Sequence, residues 1–80
     1  MIKSKDIQRQ LHNRMISYLT KRINMWKLES FIATNSPRIY RYENSIVSKW
    51  ATMIEEGIVQ VESYGLDEVI LRSRIRKSIR

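Results

Sequence analysis

Five cations crowd the last nine positions of this 80-residue chain: Arg72, Arg74, Arg76, Lys77 and Arg80. Guanidinium and ammonium groups at that density neutralise successive phosphates, the contact that dominates nucleic-acid affinity and its salt dependence. They supply five charges of the formal +7, leaving +2 on the rest of the chain. Such a balance on a small domain argues for an anionic partner, nucleic acid foremost. A second group is Ser45, Ser48, Lys49 and Thr52, whose spacing places them together on one face of a helix, with Arg41 and Asn44 just before it. By residue type alone that face reads as solvated surface; on a groove-reading helix Lys49 and Arg41 would turn toward guanine acceptors or phosphate and Asn44 toward adenine. A helix N-terminus at Asn44 would add backbone N–H groups that favour phosphate.

Catalytic constellations are not evident. There is no Cys and a single His, His12, without clustered carboxylates, so neither a disulfide framework nor a metal site is expected. Glu55 and Glu56 are adjacent, and on a helix they diverge by about 100°, which prevents them from facing one another as acid and base. The expectation is a protein that is no enzyme and carries no cofactor. No apolar run approaches the roughly 18–20 residues of a membrane span, and the N-terminus lacks the apolar stretch of a secretory signal, so the chain reads as cytosolic.

The elements that must position these groups follow from hydrophobic spacing. Ser4 as cap, Asp6 in the first turn and the stripe Ile7, Leu11, Met15, Ile16, Leu19 predict a helix over 5–22, with Lys21 and Arg22 in its last turn. Asn24 caps a second helix over 25–34, with Met25, Leu28, Phe31 and Ile32 apolar, and Pro37 forces a loop over 36–42. A third helix is expected over 44–56, with Ile46, Val47, Trp50, Met53 and Ile54 inward and Gly57 as its left-handed cap. Beyond it the alternation of 58–62 and 68–72 about Tyr64-Gly65-Leu66-Asp67 reads as a β-hairpin. Trp50 and Met53 read as core, while Trp26 fits either the core or a partner surface.

The order helix, helix, loop, helix, hairpin resembles the winged helix-turn-helix DNA-binding family, and the stretch from Ser45 to Val59 carries the resemblance. Ile46, Trp50, Met53, Glu55 with Glu56, Gly57, and Ile58 with Val59 stand where that family places its third helix and first wing strand. The resemblance implies a mainly α, α+β fold: a winged domain over 1–72 followed by a basic tail over 73–80. It implies a sequence-specific protein that binds double-stranded DNA, a small transcriptional regulator acting as a homodimer. The third helix would enter the major groove and Tyr64 at the wing tip would meet the sugar-phosphate backbone. The acidic wing tip, Asp67 and Glu68, leaves a second reading: a protein-interaction module on the same scaffold, an inhibitor or adaptor of viral or mobile-element type. Tyr40 and Tyr42, interleaved with Arg38 and Arg41, suggest single-strand or RNA stacking as a third.

Overall fold

The computed structural model describes residues 3–42 and 45–79, and among these there is helix and no strand. The elements are α1 (Lys3–Leu19), α2 (Met25–Thr34), α3 (Ser36–Ile39), α4 (Ile46–Tyr64) and α5 (Glu68–Ser78). The winged-helix expectation is therefore corrected: both segments assigned to hairpin strands are helical, and the fold is an all-α bundle.

The correction turns on Gly57. Read as a helix stop, it instead lies buried in the interior of α4, where a Cβ would meet Leu71 Cδ1 of α5 at 2.5 Å. A glycine at that position lets two helices approach closely; it does not end one. Once α4 continues, Val47, Ala51, Ile54 and Ile58 form its buried stripe at alternating spacings of four and three, with half-buried Val61 extending it. That is a helical seam, and the brief alternation of 58–62 is its local shadow.

The chain reverses at Gly65, which has φ 67° and donates its N–H to the Gln60 carbonyl. Asp67 then caps α5, its Oδ1 accepting the Val69 N–H at 3.0 Å, with Glu68 in the first turn. The reversal joins two antiparallel helices where the sequence suggests two strands. Leu71 and Ile75 are buried, so α5 docks across the residue 72/73 boundary at which the domain was expected to give way to a tail.

Two smaller corrections concern the first half. Helix α1 ends at Leu19 rather than Arg22, because Lys21 takes φ 64°. The Lys21 N–H then bonds the Tyr18 carbonyl at 3.0 Å and the Arg22 N–H the Ser17 carbonyl at 2.8 Å, the paired bonds of a Schellman motif with lysine where glycine is usual. Pro37 does end α2, but it also sits in the first turn of α3, where its missing N–H is no loss. That single turn buries Ile39 completely, so the 36–42 segment is part of the core and not merely a loop.

The core gathers Ile7, Leu11, Met15 and Tyr18 of α1, Met25, Leu28 and Ile32 of α2, Ile39, the α4 stripe, and Leu71 with Ile75. Helices α1 and α4 each touch all the others and form the centre, whereas α5 touches only these two and lies at the edge. No helix among the described residues is long and apolar enough to cross a membrane.

A candidate anionic-ligand surface on α5 and the α1–α2 corner

Helix α4, expected to read the major groove, is hemmed in by the four other helices. Ser48 is 7% exposed. Its Oγ donates to the Ser45 carbonyl at 2.9 Å, and its N–H donates to Ser45 Oγ at 3.2 Å. Ser45 and Ser48 are thus spent on starting the helix, and Ser48 cannot face a groove. Lys49 and Thr52 are exposed. Lys49 borders an open hollow of about 500 Å³ with Trp50, His12 and Ile79, and Thr52 lies beside the Tyr40 hydroxyl. Arg41 is exposed, its guanidinium 5.7 Å from the centre of the Tyr42 ring, a local contact. Asn44 lies outside the described residues, as does Arg80.

The C-terminal cations are brought together on α5. Leu71 and Ile75 turn inward, and Arg74, Arg76 and Lys77 face solvent. Arg74 Nη1 donates to Gln60 Oε1 of α4 at 2.9 Å. Arg76 and Lys77 have no ion-pair partner among the described residues, where the pairs are Arg9 with Asp6 and Arg72 with Glu68. The helix is fixed at its far end by Trp50, whose Nε1 donates to the Ser78 carbonyl at 3.3 Å. Tyr64 is 79% exposed at the end of α4, away from any wing.

Arg72 plays a different part. It is half-buried, its guanidinium carbon 5.5 Å from the centre of the Tyr18 ring, and Nη2 bonds Glu68 Oε2 at 3.4 Å. The buried Tyr18 hydroxyl donates to the same carboxylate oxygen, and its pKa is driven upward chiefly by burial and next by this bond. Beside this triad opens a groove of about 470 Å³ lined also by Lys21, Arg22 and Lys27.

Sequence reasoning missed those three cations as a group. Lys21 and Arg22 read as favourable charges in the last turn of α1, whereas the early stop places them in the α1–α2 connection. Lys27 did carry a legible signal: it stands in the first turn of α2, where a positive charge opposes the helix dipole. Of the carboxylates on α4, Glu56 and Glu62 are exposed and Glu55 is half-buried against Tyr40, while Asp67 and Glu68 stand at the start of α5. Among the described residues no three His, Asp or Glu side chains converge as metal ligands. No protein family, curated protein or solved structure matches the chain.

Proposed function

We propose that the protein binds double-stranded DNA through α5, gripping phosphates with Arg74, Arg76 and Lys77. The observation that carries this reading is the docking of α5 by Leu71 and Ile75, which leaves Arg74, Arg76 and Lys77 facing solvent with no carboxylate partner among the described residues. A basic segment held as a helix at the edge of a bundle meets a duplex without first losing conformational entropy, and its width suits the major groove. The regulator role expected from the sequence is kept in this reading, with α5 in place of the third helix as the contacting element. The carboxylates on α4 favour docking by the α5 side, since like charge repels that face from phosphate.

The test is duplex binding followed by fluorescence anisotropy across a salt series. The expected result is an affinity that falls linearly on a log–log plot, with the slope reduced by about 0.9 for each cation removed, so by roughly 1.8 in Arg76→Gln/Lys77→Gln. An unchanged slope in that variant, or no binding at low salt, rejects α5 as the contact. In that event the protein-docking reading takes its place.

A further inference from the structure

The groove between the end of α1, the start of α2 and the start of α5 holds four cations, Lys21, Arg22, Lys27 and Arg72, against one carboxylate. That carboxylate, Glu68, is already engaged by the Tyr18 hydroxyl and by Arg72. Lys21, Arg22 and Lys27 have no ion-pair partner among the described residues. Asn24 and Lys27, at the N-terminus of α2, line the same groove. Asn24 Oδ1 caps the helix by accepting the Lys27 N–H at 2.9 Å, while the Met25 and Trp26 N–H groups have no backbone acceptor. The first turn of α2 contains no acidic residue, so the positive end of its dipole adds to the charge of the side chains. Like charges gathered in one groove repel, and Lys21, Arg22 and Lys27 are offset there only by the carbonyl end of α1 and by a Glu68 carboxylate already engaged elsewhere.

We infer that this groove is a phosphate-binding site. A phosphate group offers two non-bridging oxygens as a diester and three as a monoester to donors arriving from different directions, which suits Lys21, Arg22 and Lys27 together with the first-turn amides of α2. Arg72, fastened over Tyr18 and by Glu68, forms the charged wall at the α5 side. The site stands apart from the phosphate contacts of Arg74, Arg76 and Lys77, and it takes either the terminal phosphomonoester of a nucleic acid or nucleotide, or a backbone phosphodiester.

The experiment is a titration of the full chain with inorganic phosphate at constant ionic strength, read by amide chemical shifts. Saturable shifts at Met25, Trp26 and Lys27 are expected. Arg22→Gln/Lys27→Gln should weaken the apparent affinity about tenfold or more while the thermal melt stays in place, and Arg76→Gln/Lys77→Gln should leave it unchanged. Phosphate shifts that persist in a chain that binds no duplex would separate this site from the α5 reading. Two duplexes, one with a 5′-phosphate and one with a 5′-hydroxyl, then distinguish the sources: tighter binding of the first assigns the terminal monoester, equal binding the backbone diester. Shifts that do not saturate, or that survive in Arg22→Gln/Lys27→Gln, overturn the proposal.

Discussion

At Gly57 a single missing methyl decides how α4 and α5 meet. Adding one places a Cβ 2.5 Å from Leu71 Cδ1, and Leu71 is 1% exposed, so it has nowhere to move without disturbing the seam. Overpacking of this kind costs about 1–3 kcal/mol, of which roughly 1 returns through the better helix propensity of alanine. Gly57→Ala is therefore expected to lose up to about 2 kcal/mol in urea unfolding, and a gain would show that the two helices do not touch there. Lys21 presents the opposite case. Its φ of 64° is one that L-residues adopt at a cost, and the Schellman bonds around it need that angle. Lys21→Gly should stabilise the fold by about 0.5–1 kcal/mol, with the gain read as a higher urea midpoint at unchanged slope. The same substitution removes a groove cation, so phosphate affinity should fall as stability rises. If the groove binds phosphate as proposed, Lys21 is better for the fold as glycine and better for the anion as lysine, a trade of stability for binding.

At the scale of elements, α5 is the one whose nature changes most between sequence and structure. Its charges suggest a dispensable tail, yet Leu71 and Ile75 are core residues and Trp50 holds its last turn. Truncation after Leu71 should remove the burial of Ile75, about 2–3 kcal/mol by itself, and leave Trp50 Nε1 without its acceptor. The expected outcome is a melting temperature lowered by tens of degrees, or no cooperative transition; an undiminished melt would return residues 72–80 to the status of a tail. A second element-scale device joins the α3 end to α4: Tyr40 donates its hydroxyl to Glu55. Burial, and then that bond, push the Tyr40 hydroxyl from 10.0 up to about 12. Its neutral form is favoured by folding, so the contribution is complete below pH of about 10 and fades as pH rises through about 12. Tyr18 shifts in the same direction. Thermal melts should therefore fall across that alkaline window, and Tyr40→Phe should flatten the decline relative to the unaltered chain; a parallel decline would mean that neither burial nor the bond to Glu55 shifts Tyr40 in solution.

Across the whole molecule, charge and apolar surface are sorted by the packing of five helices rather than by position along the chain. Lys21, Arg22 and Lys27 come from one end of the sequence and Arg72 from the other, and a groove of about 470 Å³ exists only because α5 returns along α1. Much was legible beforehand. The spacing of Ile7, Leu11 and Met15, the Asn24 cap, the stop at Pro37 and the reversal at Gly65 are local signals, written within one or two turns of chain. The hairpin expectation fails because five residues such as Ile58 to Glu62 satisfy a period of two and a period of 3.6 alike. What settles the matter is the partner face: Ile58 is fully buried against neighbours that the sequence does not name. By itself the sequence determined a small cationic chain with two early helices, a turn at Gly65 and a C-terminal run of cations. The tertiary structure alone decided that α4 passes through Gly57, that Ser48 is buried, and that the cations divide into an α5 array and a groove. The physical reason is one of range. Caps, breakers and turns act over a few bonds, whereas close approach at Gly57 and repulsion among distant cations exist only once separate helices are packed together.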